Sequence, residues 1–353
     1  MRNKITFISD YRKADVRAEW GKTSKKCLKV IDLFAGCGGL SAGIEMAGCE
    51  VVAALDFDLK ACMTYRKNFT HPIIEGDITK DETKQSLYDA VGSQEIDVVC
   101  AGFPCQSFSM AGLRLIDDPR NFLYREFVNI VDYFRPKYIV GENVKGFMTK
   151  QGGIYPEQLK EDFAKIGYEV DIQVLNAADY GVAQKRERAI IIGNRMGVDN
   201  LFPEPIVDKA HYKTVMEAIE DLCNAPEDME FGHIFTHHKE RTLNQMKGLK
   251  EKDHLYESRK SSWTVLPADA PAPTMTENHG APGIHPIRKD VITPREMARL
   301  QSFSDDFNFS AVSKTQMFKQ IGNAVPPLLG KAVALAVCEM EKRRLSQAAV
   351  QKS

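Results

Sequence analysis

With 353 residues, 43% hydrophobic and 27% charged, the chain has the make-up of a soluble globular protein long enough for two domains. A net charge of −1 gives no global basic field, and no apolar run approaches the roughly 18 residues of a membrane span. The polar start Met1 to Lys26 lacks a signal peptide's apolar core, and eight cysteines without a Cys-x-x-Cys pair or zinc-like Cys/His spacing suit reduced thiols in a cytoplasmic protein that binds no metal.

From Leu28 onward, short β-branched runs alternate with helix-like segments, the pattern of an α/β fold with a parallel sheet covered by helices. The first strand, Leu28 to Phe34, runs into the glycine-rich turn Gly36-Cys37-Gly38-Gly39 and a helix from Gly39 to Ala47. The N–H groups and positive dipole end of such a helix suit a polar ligand. A Gly-x-Gly-x-x-Gly fingerprint is broken at Ser41, which disfavours a nicotinamide dinucleotide.

The second strand, Val51 to Leu55, ends at Asp56, 20 residues after Gly36, where a carboxylate can accept both hydroxyls of a ribose. Phe57 can lie against an adenine, and Asp77 of Glu75-Gly76-Asp77-Ile78 can take its exocyclic amine. These residues point to an adenosine-type cofactor; solvent-exposed loop acids are the alternative for both aspartates. A helix is predicted over Lys60 to Asn68.

The third candidate strand, Ile96 to Ala101, leads through Gly102 into Phe103-Pro104-Cys105-Gln106, which presents one cysteine at a strand's carboxyl end, where open parallel sheets hold their chemistry. Cys27, Cys37, Cys49, Cys62, Cys100, Cys223 and Cys338 read instead as small hydrophobes. Tyr138 to Val140 delivers Glu142 to another strand end, where partial burial would favour a protonated carboxyl able to donate a proton. After a strand at Glu169 to Leu175, Gln184-Lys185-Arg186-Glu187-Arg188 opens the last one, Arg188 to Gly193; two same-side arginines can aim inward at an oxygen or phosphate, or form a surface salt-bridge cluster. Parallel strand ends would gather Cys105, Glu142, Arg186 and the Gly36 turn at one edge.

After Asn194 the rhythm stops. Five prolines between Pro267 and Pro286 mark a second, irregular domain, whose segment Lys239 to Lys260 carries seven basic and four acidic residues, a balance of +3. A solvated helical face and a phosphate-contacting surface explain such a run equally well. Pro326 to Arg344 reads as a long helix with two prolines in its first turn.

In this order, DLFAGCGGLSAGIEMAG, GFPCQSFSMAG, ENV, QKRERAIIIG, TPREMARLQSF and QIGNAVPP resemble the motifs of the DNA (cytosine-5) methyltransferases, from Leu28 to Pro327. The resemblance implies a Rossmann-like S-adenosylmethionine-dependent methyltransferase sheet with a smaller target-recognition domain. Its bounds would be an extension over 1–27, a catalytic and cofactor-binding domain over 28–194, target recognition over 195–306, and a returning segment over 307–353. It implies that Cys105 attacks cytosine C6, that Glu142 binds and protonates N3, and that Arg186 holds O2, with Arg188 in support. It further implies S-adenosyl-L-methionine contacts from Phe34, Gly36, Gly38, Leu40, Asp56, Phe57, Asp77, Ile78, Pro104, Asn323 and Val325, and a lid over Gln106 to Asn121. The substrate would be a flipped cytosine in double-stranded DNA, methylated by a bacterial, nucleoid-associated monomer, within a restriction-modification system or alone. A tRNA methyltransferase and a non-catalytic DNA-binding relative are the alternatives.

Overall fold

The computed structural model describes residues 28–104, 123–256, 263–276 and 283–350. Cys105, the expected lid and the 1–27 extension lie outside them. Seven strands form one sheet: β1 (Lys29–Leu33), β2 (Glu50–Asp56), β3 (Ile73–Glu75), β4 (Val98–Ala101), β5 (Tyr138–Val144), β6 (Glu169–Asn176) and β7 (Glu187–Asn194), in the order 3-2-1-4-5-7-6. The six expected strands are present with ends moved by a few residues. β3 was not anticipated, because three residues carry too little periodicity to read.

The expected all-parallel sheet needs correction. β7 runs antiparallel to both β5 and β6. Its beginning, not its end, therefore lies at the edge where the other strands finish, and Arg188 pairs in register with Val144.

Alternation along the strands feeds a core on each face. Ile31, Leu33, Val99 and Ile139 pack under α3 (Asp81–Val91), α4 (Leu123–Phe134) and α5 (Ile154–Lys165). Val30, Val51, Cys100 and Val140 pack on the other face under α1 (Gly39–Met46) and the C-terminal helix. Burial on both faces is why these strands read as continuous apolar runs. Between β2 and β3, α2 (Leu59–Asn68) starts where the Asp58 side chain accepts from the Lys60 and Ala61 N–H groups.

Beyond β7, the described residues first form short helices: α6 (Val215–Ile219), α7 (Glu240–Lys247) and α8 (Pro294–Leu300). Thr293 and Glu296 form a reciprocal cap at the start of α8, with Pro294 in its first turn. Two further helices, α9 (Lys314–Asn323) and α10 (Pro327–Val350), bring the chain back to the sheet. The stretch Lys314–Val350 is long and apolar enough to cross a membrane by composition, which reading the sequence for apolar runs missed, yet 61% of its most apolar part is buried as a core element.

Candidate active site

The strand register lays the site out as a row. Leu55, Leu33, Ala101 and Gly141 pair side by side across β2, β1, β4 and β5, so the residues one step on, Asp56, Phe34, Gly102 and Glu142, form the sheet's carboxyl edge. A Cβ built on Gly102 would lie 3.7 Å from the Phe34 carbonyl oxygen and 3.9 Å from Glu142 Oε2. Phe34 itself holds a left-handed backbone with φ 57°, a conformation costing about 1–3 kcal/mol for a non-glycine residue and concentrated at functional sites.

The glycine turn is open on one side and closed on the other. A side chain at Gly36 would meet nothing within 4 Å, whereas one at Gly39 would sit 2.3 Å from the Val325 carbonyl oxygen. Only glycine at position 39 lets the α9–α10 corner rest on the turn. Asp56 fixes the turn from the next strand: Oδ2 accepts the Gly36 N–H at 2.8 Å, and Oδ1 accepts the Asp58 N–H at 2.8 Å. Burial pushes its carboxyl above the usual range, and each oxygen keeps a second lone pair for a ligand.

Phe57 is 68% exposed beside Asp56. Asp77 is brought close by the Gly76 N–H to Asp56 carbonyl bond of 3.0 Å. Its carboxylate accepts from the Thr79 N–H and hydroxyl, which hold it below the ordinary range. Leu40, Ile78 and Val325 are buried, Asn323 is exposed on the α9 end, and Gly38 adopts φ 99°. An open turn, a buried carboxylate and an exposed aromatic ring at neighbouring strand ends fit an adenosine-type cofactor.

Glu142 and the arginines divide differently from the expectation. Arg188 Nε lies 2.9 Å from Glu142 Oε1, with both side chains largely buried. Arg186 is 1% exposed and donates to the carbonyls of Met275 (3.1 Å), Gly322 (2.8 Å) and Ala324 (3.1 Å). Its Nη groups are held by these carbonyls, while its buried Nε has no hydrogen-bond partner among the described residues, so the two arginines have different surroundings. Asn143 Nδ2 donates to the Phe103 carbonyl at 3.2 Å and thereby holds the strand exit that leads through Pro104 to Cys105. Sequence reading passed over Asn143, although it stands between the two other members of Glu142-Asn143-Val144.

A cleft of about 610 Å³ opens beside Arg188, walled by Val144, Lys145, Lys185, Lys209, Tyr212 and Thr274. Its three lysines come from separate segments, so a scan for local basic runs could not find them. In the expected basic run, Arg241, Lys247, Lys250 and Lys252 are exposed around a buried Met246. Burial pushes the Cys37 and Cys62 thiols up to about 12 and Cys100 higher, leaving them inert. Among the described residues, no three His, Cys, Asp or Glu side chains gather as a metal site.

Behind the turn lies a network the sequence did not disclose. Ser41 Oγ donates to Asp32 Oδ2 at 2.6 Å and bonds the Tyr65 hydroxyl at 2.7 Å, which in turn meets His71 Nε2 at 2.6 Å. Burial raises the Asp32 carboxyl to about 7.

The fold is that of a Rossmann-like methyltransferase, with the open glycine turn and Asp56 at the carboxyl ends of β1 and β2 and Glu142 on a neighbouring strand. The chain belongs to the C-5 cytosine-specific DNA methylase family, whose model matches residues 28–339, and it is a DNA (cytosine-5) methyltransferase. It is 37% identical over 329 residues to the Type II methyltransferase M1.HphI of Haemophilus parahaemolyticus, covering 89% of this chain and 87% of that one. To M.XorII of Xanthomonas oryzae it is 35% identical, covering 86% and 82%. A solved DNA modification methyltransferase encoded within an Escherichia coli prophage shares 27% identity with a TM-score of 0.75, covering 89% of this chain and 99% of that chain. The structure of S. pombe Dnmt2, at 19% identity and a TM-score of 0.62, shares the fold.

Proposed function

We propose that the protein transfers a methyl group from S-adenosyl-L-methionine to C5 of a cytosine flipped out of a specific double-stranded DNA sequence, through a transient bond between Cys105 and C6. The observation that carries this reading is the row Asp56, Phe34, Gly102 and Glu142, in which the donor crevice adjoins both the carboxylate and the strand leading to Cys105. Likeness to Type II methyltransferases supports a role in restriction-modification. The protein would act as a cytoplasmic monomer.

Cytosine C5 is too poor a nucleophile to take a methyl group directly. A free cysteine is only about 3% thiolate at pH 7, so the pocket must favour the thiolate. Addition of the Cys105 thiolate to C6 pushes the ring electrons toward C5, while Glu142 gives a proton to N3, leaving C5 enamine-like. The bound cofactor supplies an electrophilic methyl on a sulfonium. After C5 has taken the methyl group, loss of the C5 proton, departure of the thiolate and return of the N3 proton to the Glu142 carboxylate restore the neutral ring.

Arg188, rather than Arg186, steadies the Glu142 carboxyl and reaches the base's O2, because it alone of the two meets Glu142 and the cleft. Arg186 ties the backbone around them. The cofactor would be held by Asp56 at its ribose, by Phe57 and Asp77 at its adenine, and by the Gly36 and Gly38 turn with Phe34, Leu40, Ile78, Pro104, Asn323 and Val325 around it. The base leaves its stack at a cost of a few kcal/mol, which phosphate contacts from the cleft lysines offset. Residues 195–306 would read the sequence, and 307–353 would close the cofactor site.

The test incubates the protein with labelled S-adenosylmethionine and a duplex DNA library, then maps 5-methylcytosine. One sequence should be methylated, and Cys105→Ala should abolish it. A duplex with 5-fluorocytosine at that position should trap a covalent adduct at Cys105. Methylation by Cys105→Ala, or labelling of transfer RNA instead of DNA, would overturn the reading.

A further inference from the structure

Between the cofactor corner and the DNA-facing cleft lie two buried glutamines. Gln184 Nε2 donates to Gln301 Oε1 at 2.6 Å, and both side chains are fully buried. On the cleft side, Gln184 Oε1 accepts the Met275 N–H at 3.1 Å; the neighbouring Thr274 lines the cleft and donates its hydroxyl to the Lys185 carbonyl at 2.7 Å. On the cofactor side, Gln301 Nε2 donates to the carbonyls of Ile321 (2.8 Å) and Ala324 (3.2 Å), which flank Asn323 and precede Val325.

The chain of bonds is continuous. It runs from the Ile321 and Ala324 carbonyls through Gln301 and Gln184 to the Met275 backbone; the links to Ile321, between the glutamines and to Met275 are buried, and the Ala324 link is part-buried. Buried amide networks of this kind hold a fixed geometry, because breaking one bond strands its partner in a medium without a substitute. Arg186 spans the same two segments directly, but it is a buried cation holding three carbonyls, and its removal would disrupt the fold. Gln301 is the link that can be cut by a side chain of equal length.

We propose that Gln301 is a positioning residue that couples cofactor binding to DNA binding, by transmitting the setting of the Ile321–Val325 corner to the Thr274–Met275 wall of the cleft. The proposal rests on the cofactor and DNA sites assigned above. Closure of the corner on a cofactor shifts the two carbonyls that Gln301 holds, and the Gln184 amide carries that shift to Met275. Because Gln184 lies four residues before Arg188, the same bond fixes the start of β7 and with it the partner of Glu142.

The test measures S-adenosylhomocysteine affinity by titration with and without a duplex carrying the mapped cytosine, in the full-length protein and in Gln301→Met. Coupling in the unmodified protein should be at least about five-fold, and by linkage duplex affinity should rise by the same factor with S-adenosylhomocysteine. In Gln301→Met the factor should fall below about two-fold, with each ligand's separate affinity changed less than about three-fold. A merely structural glutamine would lower the melting temperature and leave the factor alone. Undiminished coupling in the variant, or none in the unmodified protein, overturns the proposal. Failure of the unmodified protein to bind S-adenosylhomocysteine would sink the cofactor reading instead. Should Gln301→Met lose its cooperative melt, Gln184→Met cuts the same bond from the other side, and loss of the fold in both overturns the positioning role.

Discussion

The sheet of residues 28–194 and the irregular region that follows are held together by different means. The first is a ladder of seven strands with a core on each face. The second, among its described residues, has isolated bridges and a small cluster of Met246, Val265 and Ile284; its larger core, with Val215, Ile219, Met297, Leu300, Phe303 and Phe318, packs against Cys62, Tyr65 and Phe69 of the sheet region, and side chains such as Arg295 reach the Phe231, Ser304 and Phe307 carbonyls. Glu142, proposed to meet the reacting ring, sits on the ladder, while the region proposed to read DNA sequence sits on the irregular frame. Rigid elements hold catalytic geometry, and loops accommodate variation in what is bound.

The contrast is broken most directly at Glu142. Glu142→Gln should lower single-turnover methylation by about 10²–10⁴-fold while the melting temperature stays near that of the unmodified protein, because the ladder does not depend on the carboxyl. A large loss of stability would mean that the ladder does depend on it. Met246→Ala should cost about 3 kcal/mol, felt only locally: hydrogen exchange should accelerate around 240–250 and 264–266 and not in β1, β4 or β5. Uniform acceleration would erase the distinction between the regions.

Asp32 sharpens the comparison through pH. Its folded carboxyl is raised from 3.8 to about 7 by burial, so the native state keeps a proton that the unfolded chain releases. The stability it contributes is full below the unfolded value and lost as pH rises through about 7. Asp32→Asn should therefore gain about 2 kcal/mol on the unmodified protein between pH 5 and pH 8, read by denaturant unfolding at both. The smallest expected effect is at Gly39. Gly39→Ala forces a Cβ to within 2.3 Å of the Val325 carbonyl and should weaken S-adenosylhomocysteine binding about tenfold, or about 1.4 kcal/mol by calorimetry.

Much of the sheet was legible because strands buried on both faces leave long β-branched runs, and Asp56 and Glu142 were legible because each stands just after one. The direction of β7 was not, since a run such as Ala189 to Ile192 is equally apolar read either way. Arg186 and Arg188 are two apart and look equivalent to any periodic rule. What separates them is contact with Met275, Gly322 and Ala324, which lie 89, 136 and 138 positions away. Gln301 eluded the sequence for the same reason, its partners being Gln184 before it and Ile321 and Ala324 after it. Apolar spacing reports burial and cannot report which distant carbonyl a buried donor finds.

The corner resting on the glycine turn also sets a timetable. The Cys37 thiol donates to the Gln320 carbonyl, 283 positions later in the chain. A ribosome adding about 5–20 residues per second emits the turn roughly 15–60 s before its covering corner. For that interval the nascent polypeptide, even with Cys105 and Glu142 already made, lacks the Val325 carbonyl that packs on Gly39. The segment that closes over the turn is thus made long after the turn itself.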